Sequence, residues 1–137
     1  ASTMNAHNIY YTSGSWSVSA ESPMAYLGKQ LGLSGSEMSL GFLARGTGSA
    51  FVHAHQRNEE TYIVMRGKGI FHVDGEEFPI GEGSVVRVAP AGKRAIKAAN
   101  DSELIYWCIQ TDSGSLRQAT KDDGIRLKHR TSWLSGE

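Results

Sequence analysis

The chain has 137 residues, 39% of them hydrophobic and 20% charged, which fits one soluble domain able to bury a core without disulfide or metal staples. Its 14 basic and 14 acidic side chains cancel, so no field gathers a polyanion and nucleic acid is not expected as a partner. No apolar run is long enough to span a bilayer, so no membrane partner is expected, and a single cysteine, Cys108, excludes an intrachain disulfide and fits a reducing cytoplasm.

No basic segment followed by an apolar stretch opens the chain, so no signal peptide is expected, and Met4 fits a native start. Residues 1–36 are rich in Ser, Gly and Asn, with scattered Tyr10, Tyr11, Trp16 and Tyr26. They read as an arm with little structure of its own, whose aromatics pack on the domain's sheet or on a second subunit. From Glu37 the texture becomes β. Strands are expected over 37–44, 50–55, 60–66, 70–73, 77–80, 84–89, 93–99 and 103–110. Gly67-Lys68-Gly69 reads as a turn, Asp74-Gly75 as a hairpin, and Gly81-Glu82-Gly83 and Pro90-Ala91-Gly92 as further turns. Residues 111–137 are polar, with Trp133 as the one large anchor. Nothing from 37 to 110 carries a helical period, so the expectation is an all-β sandwich, jelly roll or barrel.

His53-Ala54-His55 falls in the predicted strand 50–55, where residues two apart share a face. A four-residue loop then leads to Glu60 at the start of the next strand. Two imidazoles and one carboxylate meeting inside a barrel suit a first-row transition metal with positions left open for substrate. Tyr62 shares the parity of Glu60 and is a candidate to donate to a ligand. Glu59 faces the other way, His72 reads as a partly exposed strand residue, and Cys108 as a buried, inert thiol.

The stretch 48–67, GSAFVHAHQRNEETYIVMRG, resembles the first motif of the cupin superfamily. His53, His55, Glu60 and Gly67 match it, while the leading glycine, Gly48, stands one residue too close to His53. The resemblance covers about residues 37–110 and implies a small single-domain cupin of the conserved-barrel type, a double-stranded β-helix. It would span residues 1–137, with its barrel core at 37–110, an arm at 1–36 and an extension at 111–137. The second cupin motif is broken. Pro90-Ala91-Gly92 is present, but the position of the fourth ligand, a histidine, holds Ala95 when counted from Pro90 and Arg94 when counted from Gly83. An inward Ala95 leaves His53, His55 and Glu60 with more open positions. An inward Arg94 pairs with Glu60, repels a dication, and suits a carboxylate or phosphate ligand rather than a metal.

The resemblance implies activity on small molecules and a homodimer. One reading is a metal-dependent enzyme of dioxygenase, isomerase or decarboxylase type, with Fe, Mn, Ni or Zn held by His53, His55 and Glu60. A second is a metal-free binding or sensing module for a small anionic or sugar-like ligand, with Tyr62 and Arg94 in contact with it. A third is a structural barrel with vestigial histidines.

Overall fold

The computed structural model describes residues 2–118 and 120–134. Its elements are β1 (Ser2–His7), β2 (Thr12–Trp16), β3 (Met24–Tyr26), α1 (Gly28–Leu31), β4 (Glu37–Leu43), β5 (Asn58–Val73), β6 (Glu76–Gly81), β7 (Val85–Val88), β8 (Arg94–Ala98), β9 (Leu104–Asp112) and α2 (Thr120–Asp123). The chain is all-β apart from two single-turn helices, as expected, and the strands form the jelly-roll barrel of a double-stranded β-helix. No helix among the described residues is long and apolar enough to cross a membrane.

The longest strand organises the barrel. The first half of β5 lies between β9 and β7, and its second half lies between β6 and β8, every pairing antiparallel. The sequence suggested two strands parted by a turn at Gly67. Instead β5 runs through, with an extra residue inserted against β9 between Val64 and Arg66. That bulge shifts the phase of alternation: Glu60, Tyr62 and Val64 point inward before it, Gly69 and Phe71 after it. Gly67 makes the bend possible. Its φ is +86°, and a Cβ there would run into the carbonyl oxygen of Glu103.

Inside the barrel lies one apolar core of Tyr62, Val64, Phe71, Ile80, Val88, Ile96, Ala98, Leu104 and Cys108. Asp74-Gly75 closes the β5–β6 hairpin with both residues at positive φ, as a two-residue type I′ connection requires. Segment 50–55 departs from expectation. It is not a strand but an irregular crossing held by isolated bridges, Gly48 to Lys97 and His53 to Arg94.

The flanks differ from expectation too. The arm has its own β1–β2 hairpin, and β3 extends the barrel sheet beside β4. The hairpin is tied to α1 by Thr12 Oγ1 donating to the Leu31 carbonyl and by Trp16 Nε1 donating to Gln30. Tyr10, Tyr11 and Tyr26 are nevertheless exposed, as are Leu116, Ile125, Leu127 and Trp133 beyond the barrel. Trp133, 79% exposed, is not part of the core formed by the described residues.

Candidate metal centre

The residues that meet at one end of the core come from four places. Glu60 and Tyr62 lie on the inner face of β5, Cys108 on the facing position of β9, and Arg94 at the start of β8. His53 and His55 hang from the irregular segment, which the barrel pins in two places. His53 N–H donates to the Arg94 carbonyl and Arg94 N–H returns the bond to His53, while His55 N–H donates to the Pro90 carbonyl.

Because His53 bridges Arg94, and bridged residues face the same side, Arg94 is the β8 residue turned toward the histidines. Ala95 faces the other way. It lines a hollow of about 450 Å³ with Val52, His72, Glu77 and Lys97, a separate surface that takes no part in the cluster.

Glu60 is the hub. Its side chain is buried, and Oε1 accepts Tyr62 Oη at 2.5 Å and Arg94 Nη1 at 2.8 Å. Oε2 accepts the Cys108 thiol at 3.3 Å and stands 3.1 Å from His55 Nε2. Burial alone would raise the Glu60 pKa. The hydrogen bonds from Tyr62, Arg94 and Cys108, with the nearby His55, outweigh it and hold the carboxyl below its ordinary value, so it is an anion at neutral pH. Tyr62 and Cys108 move the opposite way. Burial, and then Glu60, pushes both far up, so both stay protonated and act as donors.

Arg94 has 0% of its surface exposed. Its Nε donates to the Gly92 carbonyl, and Nη2 reaches the carbonyls of Ala89, Pro90 and Gly92 at 2.8–2.9 Å. The Pro-Ala-Gly turn thus cages a guanidinium. Arg94 and Tyr62, the residues expected to contact a ligand, direct Nε, Nη1, Nη2 and Oη at Glu60 and at backbone carbonyls. His72 pairs with exposed Glu77 on the outer face, and Glu59 with Arg87, in keeping with their sequence reading.

Sequence reasoning missed Cys108 as a member of the cluster. Its alternation with Tyr106 and Gln110 was legible, but its position opposite Tyr62 required the β5–β9 register.

The histidines form the open side. The His53 and His55 side chains are 37% and 26% exposed, with ring centroids 5.1 Å apart. Partial burial, and after it the His55 and Arg94 charges, lowers the His53 pKa despite Glu60, leaving a neutral ring with a free lone pair. A shallow hollow of about 400 Å³ opens beside His55, lined also by Gln56, Arg57, Asn58 and Asp112.

Donor atoms of His53, His55 and Glu60 lie within 4.8 Å of one another. His55 Nε2 is buried without a hydrogen-bond partner, although Glu60 Oε2 is at contact distance. An orphaned buried nitrogen beside an anionic oxygen matches two ligands that share a third atom rather than a donor facing an acceptor. The donor set therefore fits a divalent transition metal, with Glu60 offering Oε2 because Oε1 is taken.

Comparison with known proteins agrees with this architecture. The family model of the cupin domain, Cupin_2, matches residues 41–110. A crystal structure of a cupin protein from Bacteroides fragilis is 39% identical, with a TM-score of 0.77 over 86% of this chain and 98% of that one. A sugar phosphate isomerase of the cupin superfamily from Silicibacter pomeroyi is 22% identical, with a TM-score of 0.60 over 66% of this chain and 59% of that one. A predicted oxalate decarboxylase from Thermotoga maritima is also 22% identical, with a TM-score of 0.58 over 65% of this chain and 78% of that one. At that identity the last two show a common fold alone. No curated protein matches the chain.

Proposed function

The chain belongs to the cupin family, and from that premise we propose that it is a metal-dependent enzyme acting on a small polar molecule, with the ion held by His53, His55 and Glu60. The observation that carries this reading is the buried His55 Nε2, which makes no hydrogen bond yet stands 3.1 Å from Glu60 Oε2. A bound divalent metal would supply a Lewis acid that polarises an oxygen of the substrate.

The protein's own residues divide the remaining work. His53 and His55 offer ring nitrogens at the solvent side, where a small molecule enters past Gln56 and Asn58. Glu60 supplies the one negative charge; Tyr62 and Arg94 occupy Oε1, which leaves Oε2, where the weaker Cys108 thiol donates, to face an ion. The reaction class we propose is one of the isomerase, decarboxylase or dioxygenase types expected from the family resemblance.

The metal-free alternative would use Arg94, whose Nε, Nη1 and Nη2 already donate to Glu60 or to backbone carbonyls, and that favours the metal reading over it. Metal analysis of native protein, followed by Co²⁺ titration with visible absorption, tests the proposal. Wild type should bind one equivalent, and His53→Ala and His55→Ala should each abolish it. Protein that carries no metal and rejects Co²⁺, Ni²⁺ and Fe²⁺ would remove the reading. We also propose a homodimer, because Ile9, Tyr10, Tyr26 and Trp133 stand exposed at the flanks. A monomeric mass by light scattering at micromolar concentration would remove that part.

A further inference from the structure

We infer that Arg94 stands in the place of a fourth protein ligand and, acting through Glu60, makes the cluster selective for an anionic chelating ligand of the dicarboxylate or oxo-acid class. The inference rests on the metal reading above and goes beyond it by naming the charge of the ligand and the residue that imposes it.

Three observations carry it. First, Arg94 is the residue of β8 bridged to His53, so it faces the cluster where another ligand would stand, and a guanidinium does not ligate. Second, Arg94 Nη1 and Tyr62 Oη both occupy Glu60 Oε1, which leaves the protein with one carboxylate oxygen and two imidazole nitrogens to offer. Coordination beyond those three atoms has to come from outside the protein.

Third, the charges decide what that ligand is. Glu60 and Arg94 cancel, and both imidazoles are neutral as ligands. A dication held there keeps its full charge, whereas a neutral residue in place of Arg94 would leave the Glu60 charge to offset it. Arg94 is fully enclosed, so solvent screens it little. The other charges near the opening come in pairs, Arg57 with Asp112 at 3.8 Å and Arg87 with Glu59 at 3.4 Å, so they do not reverse the sign. A ligand entering on the histidine side meets a surplus of positive charge, and two anionic oxygens answer both that charge and the unfilled coordination. Arg94 never touches this ligand. It is a positioning residue whose effect is transmitted by field and by the orientation of Glu60.

The experiment uses full-length protein loaded with Co²⁺, titrated with malonate and with malonamide, its uncharged counterpart, and read by visible absorption and calorimetry. Wild type should bind malonate with a change in the Co²⁺ spectrum. Arg94→Gln and Arg94→His both remove the charge, and each should weaken malonate by about tenfold or more, within the usual range for linked sites, while malonamide changes little. Arg94→His should in addition bind Co²⁺ more tightly. Equal losses for malonate and malonamide would show a merely structural role and overturn the inference. So would malonate that leaves the wild-type Co²⁺ spectrum unchanged, a result that needs no variant to fold. Failure of wild type to take up Co²⁺ at all overturns the metal reading and this inference with it, whereas Co²⁺ uptake without a malonate effect overturns this inference alone.

Discussion

His53 and His55 hang from an irregular segment with about a third of their side-chain surface in solvent, whereas Glu60, Tyr62, Arg94 and Cys108 lie inside the barrel with their polar atoms committed to one another. The two sides of one site are therefore built on opposite terms. The carboxylate side is part of the folding core, and its ion pair must be complete because removing one partner strands a charge away from water. The histidine side is held by three backbone hydrogen bonds and contributes its side chains to the opening. Stability should follow the buried side, and ligand binding should depend on both.

Breaking the buried side should have the largest effect. Arg94→Met leaves the Glu60 carboxylate unpaired and strips donors from three carbonyls, so unfolding free energy in urea should fall by about 3–5 kcal/mol. Adding Glu60→Leu should restore much of that loss, since an apolar pair of similar volume is often neutral. A double variant no better than the single would mean the caged carbonyls, rather than the ion pair, dominate.

Tyr62→Phe should cost about 1.5–3 kcal/mol, the range for a hydrogen bond to a charged group. It should also alter the acid limb of stability. The folded pKa of Glu60 lies below its unfolded value near 4.5, so its contribution is fully present above that pH and is lost as pH falls through the folded value. Without the Tyr62 hydroxyl the folded pKa rises toward the unfolded one. The contribution shrinks, and its loss begins at higher pH. Stability measured from pH 7 to pH 3 checks both points, and an unchanged acid limb would mean Tyr62 does not help hold the carboxylate.

Cys108 should react with a thiol reagent at neutral pH only as fast as the protein opens, because burial and Glu60 hold the thiol protonated. Full-rate labelling of native protein would show that the buried side is not closed. The smallest stability effects belong to the histidine side. His53→Ala should move unfolding free energy by less than about 1 kcal/mol, as for a partly exposed side chain outside the core, while removing Co²⁺ binding. A loss as large as that of Arg94→Met would erase the contrast between the two sides.

Much of this molecule was legible beforehand, but unevenly. Period-2 alternation and turn residues located the strands from Glu37 onward, and Asp74-Gly75 identified its hairpin because few residue pairs take positive φ in succession. The grouping of His53, His55 and Glu60 was legible although the strand invoked for it does not form. Two bridges bring the histidines to Glu60 without one. The continuity of β5 was hidden because Gly67, flanked by Lys68 and Gly69, looks the same in a turn and in a bend beside a bulge. The arm's hairpin was hidden because TSGSW and STMNAH carry little alternation of apolar and polar residues.

By itself the sequence determined the fold class, the candidate ligand residues and the broken second motif, because those depend on local periodicity and on which side chains exist. The tertiary structure alone decided between Arg94 and Ala95. A shift of one residue turns a side chain to the opposite face of a sheet, and the spacing of the motif was ambiguous by that one residue. The bridge between His53 and Arg94 resolved it, placing a caged guanidinium on Glu60 at the position where the second cupin motif carries its histidine.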